Sequence, residues 1–203
     1  MVKVKICGIT NLEDALAAFF SGADAIGFVF YKKSLRYITP SKASRIANIL
    51  PKNIKRVGVF VNASAKEVRG IARLCRLDML QFHGDEPVEF CLQFSGYRVI
   101  KAFRINKNFD FQRLAKYKKF HLLFDGFSKN KYGGTGKKFD WLLLKKIGKI
   151  KQKVFLSGGL SCFNIKKALK VFKPDWVDIS GGVELKPGKK DHKRMSKFVS
   201  LVK

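Results

Sequence analysis

The sequence predicts a single-domain α/β protein, a (β/α)8 TIM barrel with a degenerate fifth helix, on three observations. Short β-branched or aromatic runs alternate with amphipathic stretches eight times along 203 residues, near the lower size limit for such a barrel. The strand-like runs are apolar and bounded by polar turns, as parallel strands covered on both faces are. Neither a GxGxxG after the first strand nor a P-loop occurs, so the nucleotide signatures of open doubly wound sheets are missing. No break in composition divides the chain, and residues 1–203 are read as one barrel domain.

The elements follow in order. Val2–Ile6 alternates as a strand and stops at Cys7 and the turn Gly8-Ile9-Thr10; Asn11 then caps a helix over Leu12–Phe20, with Asp14 three residues on. Ala25–Phe30, Arg56–Val61, Met79–Phe82 and Arg98–Ala102 read as the next four strands, being short apolar runs between turns. Helices at Ser41–Leu50, Lys66–Leu74 and Pro87–Phe94 separate them. Phe109–Tyr117 is a weak helix at best, which makes the fifth connection degenerate. Phe120–Phe124, Val154–Leu156 and Val177–Ile179 are the last strands, and Phe139–Ile147, Phe163–Val171 and Asp191–Leu201 the helices that follow them.

Forty-two basic residues against 15 acidic ones leave a net charge of +27. Such a surplus raises nucleic-acid binding as a class. Yet Lys42, Lys66, Lys107, Lys118, Lys129, Lys145, Lys167 and Lys189 are scattered over predicted helices and turns. A dispersed surplus reads as a solvated surface that also steers an anionic ligand, and no nucleic-acid partner is expected. No stretch approaches 18 apolar residues and no export signal is read at the N-terminus, so no membrane partner is expected and a cytoplasmic location is. Cys7, Cys75, Cys91 and Cys162 form no CxxC pair and are read as free thiols.

Residues with chemistry collect at the C-terminal ends of the predicted strands, where a barrel builds its site. Cys7 follows the first strand; a helix N-terminus nearby would lower its pKa, while a small buried hydrophobe is the plain alternative. Arg36 follows the second, suited to pairing with a carboxylate or else a solvated charge. Gln81 and His83 end the fourth. Asp125 closes the apolar run of the sixth, where desolvation favours a general acid; an aspartate bonded to turn amides is the alternative. Gly158-Gly159 after the seventh strand and Gly181-Gly182 after the eighth, beside Asp178 and Ser180, allow close backbone approach as in a phosphate cradle, though such pairs also serve ordinary turns. Tyr132-Gly133-Gly134-Thr135-Gly136 is read as a loop able to close over the mouth, or a plain surface loop. Only one of three histidines ends a strand, so metal ligation lacks partners.

Taken as an ordered set, Lys5-Ile6-Cys7-Gly8-Ile9-Thr10, Gly22-Ala23-Asp24-Ala25-Ile26-Gly27-Phe28, Val57 to Asn62, Leu80 to Glu86, Gly133 to Gly136, Leu156 to Leu160, Gly182-Val183-Glu184 and Pro187 to Asp191 resemble the phosphoribosylanthranilate isomerases of tryptophan biosynthesis along essentially the whole chain. The resemblance implies an Amadori rearrangement needing neither cofactor nor metal, on a small substrate carrying a phosphate and a carboxylate. It implies Asp125 as general acid, Cys7 as general base, Arg36 on the substrate carboxylate and Asp178 on a sugar hydroxyl. His83 would line the floor, and the amides around Gly158, Gly159, Ser180 and Gly181 would hold the phosphate. Gly181 stands where many of those enzymes have a serine, which leaves the amide in place. Exposed apolar loops leave room for a homodimer.

Overall fold

The computed structural model describes residues 1–126, 139–148 and 150–203. Eight parallel strands follow one another around a closed barrel, β1 (Lys3–Cys7), β2 (Ala25–Val29), β3 (Lys55–Phe60), β4 (Met79–Phe82), β5 (Arg98–Ile105), β6 (His121–Gly126), β7 (Val154–Leu156) and β8 (Trp176–Ile179), and β8 closes on β1. The helices are α1 (Leu12–Phe20), α2 (Pro40–Ile49), α3 (Ala65–Leu74), α4 (Val88–Leu92), α5 (Ile165–Val171) and α6 (His192–Val202). Asn11 caps α1 as its sequence indicates, its side chain accepting from Asp14 N at 2.8 Å.

One expectation needs correction. The fifth connection is a 3₁₀ segment, Phe111–Tyr117, but the sixth, expected as a regular helix, is also 3₁₀ over Trp141–Ile147. Both start from an aspartate, Asp110 or Asp140, whose side chain takes an amide two residues ahead and so favours the tighter winding. Beyond β8, a 3₁₀ turn at Gly181–Val183 and a small antiparallel hairpin, β9 (Glu184–Lys186) with β10 (Lys189–Lys190), precede α6. The sequence reading placed no structure there.

The period of two along each strand sorts its side chains. Odd positions of β1 and β2 point inward and even ones outward. Val4, Ile6, Ile26 and Phe28 join the shell between barrel and helices, a core that also takes Phe60, Phe82, Phe124 and Phe198. Inside the barrel, Ala25, Val57, Met79, Ile100, Leu123, Phe155 and Trp176 form a separate apolar layer. There the rings of Phe155 and Trp176 stack with centroids 4.9 Å apart. Each such buried side chain contributes roughly 1.5–3 kcal/mol. Above that layer most inward positions turn polar or small, with Lys5, Cys7, Gly27, Gln81, His83, Asp125, Ser157 and Asp178 following the same alternation toward the C-terminal rim, while Val29 and Val59 pack beside Cys7.

Candidate active site

A cavity of about 330 Å³ opens at that rim, and Cys7, Arg36, His83, Asp125, Asp178 and both glycine pairs line it. Every site residue expected from the sequence is brought together there. The glycine-rich segment 132–136 lies outside the described residues.

Cys7 is the last residue of β1 and only 9% exposed. Its neighbour in register on β2 is Gly27, and a Cβ built there would lie 2.8 Å from Cys7 Sγ. A glycine is therefore what gives the thiol its room. The expectation that the start of α1 would acidify this thiol is not met. Burial pushes its pKa above the ordinary 9.0, with Lys5 and Lys190 pulling the other way and Asp178 adding to the rise. Burial outweighs the helix because α1 begins five residues on and Asn11 already occupies an amide of its first turn.

Asp125 is buried near the end of β6, and its contacts include the amide bond that the plain alternative expects. Its Oδ1 accepts from the turn amide of Gly126 at 2.7 Å, while Oδ2 stands 3.2 Å from His83 Nε2. Gln81 Nε2 lies 2.7 Å from His83 Nδ1, so with the amide oriented this way Nδ1 accepts and Nε2 carries the hydrogen. The Nε2 to Asp125 approach lacks hydrogen-bond geometry, and Gln81 Oε1 also has no partner among the described residues. Two buried polar atoms at the floor of the cavity are thus left without a hydrogen bond among the described residues.

Arg36 is not a solvated charge. Its Nε donates to Glu184 Oε1 at 2.9 Å and Nη2 to Oε2 at 2.6 Å, and only 12% of its side chain is exposed. Burial alone would lower the guanidinium pKa; Glu184 overcomes this and raises it. Glu184 also accepts from Lys190 Nζ at 2.8 Å, and Lys190 in turn donates to the Cys7 carbonyl at 2.6 Å. A chain of charges therefore ties the β2–α2 loop, the β9–β10 hairpin and the tip of β1 together. Nη1 of Arg36 takes no part in it and makes no hydrogen bond among the described residues.

Gly158 and Gly159 both adopt left-handed backbone, φ +85° and +64°, which a glycine pair takes without strain. Neither amide donates to an acceptor among the described residues. Asn164 shapes this turn, accepting from Ser161 N at 2.9 Å and donating to Gly159 O at 2.8 Å. Ser180 and Gly181, just past the end of the neighbouring strand β8, line the same cavity.

Sequence reasoning missed Lys5, Asn164, Glu184 and Lys190 as parts of the site. Lys5 carried a signal, since it shares the parity of Cys7 on one strand. Glu184 and Lys190 stood inside the motifs that carry the family resemblance, but nothing local named their partners, since Arg36 and Cys7 lie 148 and 183 residues away.

A closed eight-stranded barrel with an inward-facing thiol and carboxylate at its C-terminal mouth defines an enzyme of the (β/α)8 class that works on a small molecule. A family model described as N-(5'phosphoribosyl)anthranilate (PRA) isomerase matches residues 4–201. The chain belongs to this family. N-(5'-phosphoribosyl)anthranilate isomerase of Thermotoga neapolitana is 48% identical to it over 204 residues, covering 100% of this chain and 99% of the relative. A crystal structure of phosphoribosyl anthranilate isomerase in complex with reduced 1-(o-carboxyphenylamino)-1-deoxyribulose 5-phosphate matches with a TM-score of 0.89 at 44% identity, over 98% of this chain and 97% of that one. A structure of mutually generated monomers of the dimeric enzyme from Thermotoga maritima matches with a TM-score of 0.90 at 43% identity, over the same shares.

Proposed function

We propose that this isomerase carries out the Amadori rearrangement of N-(5-phosphoribosyl)anthranilate to 1-(2-carboxyphenylamino)-1-deoxyribulose 5-phosphate, a step of L-tryptophan biosynthesis, with Asp125 and Cys7 as acid and base. The observation that carries the reading is that these two groups, from β6 and β1, line the same cavity as both glycine turns. Asp125 gives a proton to the furanose ring oxygen, and the ring opens to a Schiff base. Cys7 then takes the proton from C2, and the resulting enolamine tautomerises to the ketone. No cofactor or metal enters these steps.

Arg36 offers its Nη1 edge to the anthranilate carboxylate while Glu184 holds the other edge. Asp178 has Oδ1 committed to Lys5 and presents Oδ2 to a sugar hydroxyl. The amides of Gly158, Gly159, Ser180 and Gly181 cradle the phosphate, and His83 presents Nε2 from the floor. The dimeric Thermotoga maritima relative supports a homodimer. A cytoplasmic setting fits a biosynthetic chain in which, among the described residues, no helix is long and apolar enough to cross a membrane.

Steady-state kinetics on substrate generated in situ, followed by loss of its fluorescence, tests the assignment. Cys7→Ala and Asp125→Asn should each lower kcat by roughly 10²-fold or more. A variant that keeps the parent kcat loses its assigned role.

A further inference from the structure

The Cys7 thiol is buried deeply enough that desolvation works against its ionised form, yet the proposed chemistry needs it as a proton acceptor. The groups facing it decide whether it can serve. From β1 itself comes Lys5, from β8 Asp178, from β10 Lys190, and from the β2–α2 loop Arg36. Arg36 and Lys190 are both held by Glu184, and the Lys190 ammonium is directed at the Cys7 carbonyl rather than the sulfur.

Lys5 differs from these. It is wholly buried, and its parity on β1 turns it into the barrel directly below Cys7. The two side chains converge on one gap, because a Cβ at Gly27 would lie 2.8 Å from Cys7 Sγ and 3.2 Å from Lys5 Cε. Its Nζ spends one of three hydrogens on Asp178 Oδ1 at 2.7 Å and meets no other oxygen acceptor among the described residues. An ammonium in a dry interior with unspent donors beside a thiol has one natural acceptor, the sulfur.

We infer that Lys5 is the positioning residue of this site: its ammonium, anchored by Asp178, holds Cys7 Sγ in place and stabilises it as a thiolate. The inference rests on the reading of Cys7 as the base. On proton transfer the substrate's C2–H electron pair stays with the substrate, Sγ gains the proton and Lys5 keeps its own. The Lys5–Cys7 pair thus passes from ion pair to ammonium plus thiol. In agreement, burial alone would depress the Lys5 pKa, but Asp178 and Cys7 together raise it, so the side chain stays charged at neutral pH.

The test is alkylation of Cys7 by iodoacetamide from pH 5 to 11, resolved from the other cysteines by peptide mass spectrometry. Cys75 and Cys91, with pKa pushed up to about 11 and about 12 by burial, serve as internal references. In Lys5→Met the pH midpoint for Cys7 should rise by about one unit or more, the scale of a lost adjacent charge. That is at least a tenfold smaller thiolate fraction at neutral pH. Because Lys5→Met strands the Asp178 carboxylate and can fail to fold, Lys5→Met/Asp178→Asn is compared with Asp178→Asn, and the same upward shift is expected. An unchanged midpoint in the variants that fold overturns the inference. The readout is separate from catalysis. Cys7→Ala with full activity would remove Cys7 as base without touching the alkylation result, and an unmoved midpoint with an inactive Cys7→Ala would remove Lys5 alone.

Discussion

Gly27→Ala tests the geometry around the thiol with a single methyl group. The added carbon would lie 2.8 Å from Cys7 Sγ, 3.2 Å from Cys7 Cα and 3.2 Å from Lys5 Cε. Ordinary contact between such atoms is about 3.5–4.0 Å, so roughly 1 Å of relief is needed at the sulfur. The backbone has little to give. The Gly27 carbonyl accepts from both Gly8 N, at 2.9 Å, and Ile9 N, at 3.0 Å, while Cys7 is paired with Gly27 in the barrel ladder. The thiol must therefore move instead, out of the place it holds on the cavity wall. Overpacking of this kind costs about 1–3 kcal/mol of stability. A 1 Å displacement of a reacting group costs on the order of 10²-fold in rate, equivalent to about 2.7 kcal/mol of barrier. Urea unfolding and steady-state kinetics measure the two effects separately. The expected result is a folded enzyme with kcat down about 10²-fold and KM changed far less. A Gly27→Ala enzyme with the parent kcat would refute the claim that this glycine sets the thiol's position.

Three further outcomes follow from the same contacts. Arg36→Met should raise KM more than it lowers kcat, because Arg36 is assigned to binding the substrate carboxylate; an unchanged KM would remove that role. Asn164→Ala removes the bonds to Ser161 N and Gly159 O, at a cost of about 1–3 kcal/mol for the amide and carbonyl left behind, and should weaken inhibition by inorganic phosphate. Equal phosphate inhibition in parent and variant would count against the cradle. Stability should fall in two stages as pH drops. Burial, and next Arg98, hold His121 below its ordinary 6.5, so the folded state resists its protonation and stability declines from about pH 6.5. Burial alone would raise Asp14, Asp175 and Glu184, but their hydrogen bonds and cationic partners leave them below their ordinary 3.8, 3.8 and 4.5. The stability they contribute is complete above about pH 4.5 and is lost below it as they protonate. A urea midpoint at pH 3.5 equal to that at pH 7 would contradict this sign.

Seen from the sequence, the barrel and its rim were legible because both rest on local patterns. Strand runs, the Asn11 cap and the glycine pairs speak through period and turn chemistry within a few residues, and α1, β4 and β7 fall on their expected boundaries. The 3₁₀ winding of Trp141–Ile147 was less legible, since Asp140 serves equally well as the cap of a regular helix. Cys7 and Asp125 were found because they follow apolar strands directly.

What the tertiary structure alone decided is which charges are buried and with whom. In a chain of 42 lysines and arginines, Lys5 and Lys190 look like any others, and Lys3, two residues before Lys5 and of the same parity, is exposed at the barrel's far end. Depth along the barrel axis separates the two, and depth is a property of the closed sheet. Arg36 found Glu184, and Lys190 found Cys7, across more than 140 residues of chain for the same reason. Closing the barrel brings β8 and the β9–β10 hairpin against β1, and only then do the thiol's surroundings, and with them its acidity, exist.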